Sequence, residues 1–140
     1  MSTTVIIWIL TALAAVVVVL TRLRLRGEQG AGRYAVSSTL LNLHTVCGTL
    51  AWIAWVTFLL AGEDTPFGGP MAGIVAIGLW WVTAICGLLL LMRWLPSRGR
   101  HATGATTDSW SEGPGLSVLA HVGLVVGVAV FTGAYLTGAV

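Results

Sequence analysis

Every charged side chain in this sequence falls in one of three short intervals. The seven arginines and five acids lie at 22–33, 63–64 and 93–112, and the stretches between them contain no Asp, Glu, Lys or Arg. Each charge-free stretch reaches the ~20 residues that a helix rising ~1.5 Å per residue needs to cross a ~30 Å hydrocarbon core. Backbone groups in a bilayer have no water to bond, so a spanning segment is either a helix or one strand of a closed barrel. Runs this long and this uniformly apolar are helices. The sequence therefore predicts an all-α chain, a single membrane domain over 1–140 with transmembrane helices at about 3–21, 35–61, 71–93 and 116–139.

Composition agrees, with 56% hydrophobic and 9% charged residues, where a soluble domain carries about 25% charged. The net charge of +2 is too small, and too confined to loops, for nucleic-acid binding. The flank before the first apolar run holds no Lys or Arg, so it lacks the basic region of a signal peptide, and the first helix is expected to be retained. All bases are arginine, amid heavy Ala, Gly, Val and Leu usage, a bias that points to a bacterial source and hence to the cytoplasmic membrane.

The loop charges orient the helices. Arg22, Arg24, Arg26 and Arg33 lie in the first loop, Arg93, Arg98 and Arg100 in the third, and the second carries only Glu63 and Asp64. Cytoplasmic loops are enriched in Lys and Arg, so loops one and three are expected inside and both termini outside. Four helices joined by successive loops favour an up-down-up-down bundle, which makes helices two and four parallel and places them diagonally.

Two histidines sit inside those helices. His44 lies four residues past Leu40 and His121 five past Leu116, each roughly 6–8 Å into the hydrocarbon from the cytoplasmic side. Ionisable residues in membrane spans are rare, and a functional role is the default reading. Two imidazoles at one depth on diagonal helices suit the axial ligation of a haem iron. At 100° per residue the histidine face of helix two carries Leu40, Cys47, Gly48, Ala51 and Trp55, and that of helix four carries Ser117, Val125, Val128 and Thr132. Gly48 would make room for a macrocycle, and Arg33 and Arg93 would pair with its propionates.

The stretch Leu43-His44-Thr45-Val46-Cys47-Gly48 resembles the Leu-His-x-x-x-Gly opening of haem helices in small integral-membrane b-type cytochromes, among them respiratory anchor subunits and ferric-reductase-like proteins. The resemblance covers one helix, and helix four only through His121. It implies one haem b held by His44 and His121, with single-electron exchange to a quinone or a partner redox protein. The second histidine pair of two-haem families is absent from the sequence.

Other readings stay open. A neutral histidine also serves as a structural hydrogen-bonding group between helices, which would make the chain a cofactor-free accessory or assembly subunit. His44, Cys47, Cys86 and His121 together would suit zinc or copper. Two cysteines in apolar runs read otherwise as buried free thiols. Trp52, Trp55, Trp80 and Trp81 are expected to pack the outer half of the bundle. Ala120, Gly123, Gly127, Ala134 and Gly138 form a small-residue stripe expected to lie opposite His121, suited to another copy or subunit. There is no HExxH, CxxC or phosphate-loop motif, and no charged residue within a span for a proton relay.

Overall fold

The computed structural model describes residues 2–25, 36–94 and 115–140. They form four helices, α1 (Thr3–Arg24), α2 (Ser38–Leu60), α3 (Pro70–Leu91) and α4 (Gly115–Leu136), with a single 3₁₀ turn at Met92–Trp94 continuing α3. All four are long and apolar enough to cross a membrane. The surface is inverted relative to a soluble domain. Leu13, Val46, Ile53, Val75, Leu119 and Val126 point outward more than half exposed, while Thr11, Thr21, His44, Thr83, Arg93, Ser117 and His121 are buried. Hydrocarbon outside and polar groups inside suit a multi-pass membrane protein, because lipid leaves a polar group no partner but the protein itself.

The helix ends follow local chemistry. α1 begins where the Ser2 hydroxyl accepts from Val5 N–H, a standard N-cap. It runs three residues past the expected position 21, because Arg22 and Arg24 sit favourably in its last turn. Arg22 also bonds Asn42 Oδ1 of α2 at 2.6 Å. α2 starts at Ser38, with Val36 and Ser37 non-helical. α3 opens on Pro70, whose missing N–H costs nothing at a first helical position. In the preceding turn a β-carbon at Gly68 would collide with the Gly62 carbonyl oxygen. α4 stops at Leu136, short of the expected 139, because Gly138 takes a left-handed φ of 65°. Ala139 N–H then closes onto Ala134 O at 2.8 Å, the pattern of a glycine C-cap.

Each helix packs on the next and α4 packs back on α1, while neither α1 with α3 nor α2 with α4 comes into backbone contact. The α2–α3 interface is the most extensive and α1–α4 the sparsest. Side chains of α2 and α4 nevertheless meet across the axis. His44 lies beside His121, Trp55 beside Phe131 at 4.9 Å, and Phe58 beside Tyr135 at 5.9 Å between ring centroids. Trp55, Trp80 and Phe131 are fully buried and fill the half of the bundle away from the histidines. Thr11 satisfies the Trp55 indole N–H at 3.1 Å. The expected tryptophan packing is therefore carried by Trp55 and Trp80, whereas Trp52 and Trp81 face outward, 37% and 38% exposed.

Candidate functional site

His44 and His121 are brought together in the bundle core. Their ring centroids lie 6.1 Å apart with the planes at 49°. His44 has no exposed surface, and among the described residues neither of its ring nitrogens has a hydrogen-bond partner. That is an unusual state, because a buried polar group left without a partner costs about 1–3 kcal/mol.

His121 is held more firmly. Its Nδ1 lies 2.8 Å from the backbone oxygen of Ser117, one turn earlier on α4. A carbonyl only accepts, so Nδ1 carries the proton and Nε2 presents a lone pair. That Nε2 stands 3.5 Å from Thr21 Oγ1 of α1. Ser117 is itself fixed, since its hydroxyl accepts from Arg93 Nη2 at 2.9 Å while Arg93 Nη1 donates to Leu90 O at 2.8 Å. Arg93, 3% exposed, thus turns two of its donors inward, one of them onto the residue whose backbone carbonyl holds His121.

The third wall is a glycine. A β-carbon built on Gly87 of α3 would lie 2.6 Å from His121 Cδ2 and 3.5 Å from Nε2 of both histidines. Both coordinating-type nitrogens therefore converge on one notch, which exists only because residue 87 has no side chain. Gly87, Thr21 and Arg24 were not singled out in the sequence. A glycine within an apolar helix, directly after the cysteine at the histidine depth, was the available signal, since mid-helix glycine costs about 1 kcal/mol relative to alanine.

The other expected residues distribute unevenly. Gly48 does not open onto the histidines. A β-carbon there would meet Val18 Cγ2 at 2.6 Å and Thr83 Cγ2 at 3.1 Å, so its space is already taken by α1 and α3. Val125 is half-buried and packs on the main apolar cluster. Cys47 is half-buried and Cys86 buried, both as free thiols. Among the described residues no three His, Cys, Asp or Glu side chains come together. The zinc or copper reading, which needed His44, Cys47, Cys86 and His121 as one cluster, is overturned. Arg33 lies outside the described residues.

The small-residue stripe is also corrected. Ala120, Gly123 and Gly127 line the same groove as His121, between α1 and α4, rather than a face opposite to it. Ala134 is buried in the core and Gly138 belongs to the helix cap.

Compared with known proteins, the chain matches no family model, no curated protein and no solved structure.

Proposed function

We propose that this chain is a b-type cytochrome, or the haem-bearing subunit of a larger complex, in a bacterial cytoplasmic membrane, with His44 and His121 as the axial ligands of one haem b. The observation that carries the reading is His44, wholly buried, without a hydrogen-bond partner among the described residues, and facing a second histidine across a glycine notch. The donor set fits, because neutral imidazole nitrogens on facing helices are a recognised axial pair. When bound, the group supplies reversible one-electron chemistry, and the partner is a quinone or a redox protein.

The chain's own residues supply orientation and exclusion. Ser117 O holds the Nδ1 proton of His121 and so keeps Nε2 unprotonated, the form that coordinates a metal, with its lone pair now towards Thr21 Oγ1. Arg93 holds Ser117 in turn. Trp55, Trp80 and Phe131 fill the remaining half of the core and exclude water there. We place the site towards the cytoplasmic face, in an up-down-up-down bundle with both termini outside. The distribution of the arginines supports this placement, as does the rise in residue number together along α2 and α4 through the pairs 44–121, 55–131 and 58–135.

The test is the absorption spectrum of the detergent-purified protein. A Soret band is expected, lost in His44→Ala and in His121→Ala. A colourless wild-type protein that stays folded overturns the proposal. It leaves a cofactor-free accessory subunit, a reading favoured by one observation, namely that both nitrogens of His121 already face protein oxygens.

A further inference from the structure

The α2–α3 interface carries two free thiols, Cys47 and Cys86, that the histidine site does not use. Three packing contacts fix how these helices pass each other. A β-carbon on Gly48 would meet Thr83, one on Gly87 would meet His44, and one on Gly73 would meet Phe58. Each step up α2 is matched by an equal step down α3, so the two run antiparallel. Cys47 then stands opposite Ala84, two residues or about 3 Å of rise from Cys86. Side chains lean towards the N-terminus of their own helix. On antiparallel helices in this register that lean carries the two thiols towards each other.

Rotation is fixed as well. At 100° per residue Cys47 lies only about 20° around α2 from Phe58, so it shares the flank by which Phe58 touches α3. On α3, Trp81 faces α4 through its bond to Thr132 Oγ1. Cys86 lies about 140° from Trp81 and about 40° from Leu90, which clusters with Leu41 of α2. Both cysteines therefore occupy the facing flanks, and their thiols lie within electrostatic range of each other. Two sulfurs alone do not complete a zinc site, which takes four ligands. Their placement is that of a disulfide, whose Cα atoms stand about 4.4–6.8 Å apart. Leu43 and Leu50 of α2 and Val82 and Leu89 of α3 are exposed beside this seam. Cys47, half-buried where Cys86 is buried, is the sulfur nearer to that hydrocarbon surface. Glutathione and thioredoxin act from water, so an oxidant that reaches Cys47 from this side is one that dissolves in lipid.

We propose that Cys47 and Cys86 are a redox pair, which a lipid-soluble quinone oxidises to a disulfide joining α2 to α3 beside the histidines. Two S–H bonds break and one S–S bond forms, and the two electrons and two protons convert the quinone to its quinol. Cys47 meets the quinone, and the Cys86 sulfur closes the bond. The disulfide closes the loop of chain from 47 to 86, which stabilises the fold mainly by constraining the unfolded state. It also ties the turn after His44 to the residue before Gly87, so the two sides of the notch are held together. The proposal stands independently of the haem reading, since neither histidine takes part in the step.

The experiment treats the whole chain, purified reduced in detergent, with duroquinone and in parallel with copper phenanthroline in air. The protein is then denatured and cut after glutamate. Glu63 lies between the two cysteines, so a disulfide leaves the Cys47 and Cys86 peptides joined in one mass. With either oxidant the monomer is expected to become two hydrogens lighter, its free thiols to fall from two to none, and its melting temperature to rise. A phosphine reductant is expected to reverse all three. Cys47→Ser and Cys86→Ser, each close in size to the native side chain, are expected to keep the helical circular dichroism and to give no joined peptide. No joined peptide from copper phenanthroline overturns the pairing, and so does a disulfide formed between two copies. Joining by copper phenanthroline but not by duroquinone overturns the quinone as oxidant. Equally fast joining by oxidised glutathione, which stays in water, overturns access from the lipid side.

Discussion

Gly87→Ala adds one methyl group at the point where both imidazoles converge. Its carbon would stand 2.6 Å from His121 Cδ2, about 1 Å inside the optimal separation of two carbons. His121 has little freedom to retreat, because its Nδ1 is tied to Ser117 O at 2.8 Å. Overpacking of this kind costs about 1–3 kcal/mol, and loosening the histidine hydrogen bond adds about 0.5–1.5 kcal/mol. A loss of about 2–4 kcal/mol is therefore expected from these two effects together. Gly123→Ala is the matched control. It makes the same chemical change in another membrane helix, meets nothing within 4 Å, and is expected to be neutral or slightly stabilising through helix propensity. The assay is thermal unfolding in detergent, followed together with the visible spectrum. Gly87→Ala should melt earlier and, if the histidines hold a haem, lose or shift the Soret band as well, while Gly123→Ala does neither. Equal behaviour of the two variants would refute the argument, because the notch would then not be filled by the histidines.

Further outcomes follow from the same geometry. Thr11→Val removes the acceptor of the Trp55 indole in the fully buried aromatic plug, and about 1–3 kcal/mol of destabilisation is expected by thermal melting. Trp81→Phe removes only the exposed bond to Thr132 Oγ1 at 3.2 Å; a change of about 0.6 kcal/mol is expected, near the average for interhelical bonds in membranes. Arg93→Gln removes the donor to the Ser117 hydroxyl and leaves the His121 tether, which runs to the Ser117 backbone carbonyl; if the histidines hold a haem, a small shift of the visible spectrum at unchanged helix content is expected, and an identical spectrum would remove Arg93 from any positioning role.

The spans were legible because charge and hydrocarbon separate cleanly along this chain, and loop arginines plus helix order sufficed to pair His44 with His121. The rotation of each helix was much less legible. In a soluble helix the apolar stripe marks the inward face. Here Val, Leu and Ile face the outside as readily as the core, so pattern says little about which side of a helix turns in. Gly48 and Gly87 show the consequence. Both lie near the histidine depth and both are packed, but Val18 and Thr83 fill the space at the first and the imidazoles fill the second. Only the neighbouring helices decide between them. The small-residue stripe was misplaced relative to His121 for a related reason, since Gly127 lines the groove beside that histidine and Ala134 is buried in the core.

The sign of one further substitution separates the two functional readings. In a bundle without a cofactor, His44 brings two polar nitrogens into a site where no described residue bonds them, a standing cost of about 1–3 kcal/mol for a buried group left unsatisfied. His44→Leu keeps an apolar side chain of comparable reach and removes both nitrogens, so on that reading the protein should become more stable by about that amount. If His44 holds an iron, the same substitution removes a ligand that binds only the folded chain. At a ligand concentration of 100 times Kd such binding contributes about 2.7 kcal/mol, so the variant should melt earlier and lose its Soret band together. Melting curves of wild type and His44→Leu, each recorded with and without added haem, give the answer. A variant that is more stable than wild type under both conditions rules out ligation by His44, whereas a variant destabilised only where haem is present establishes it.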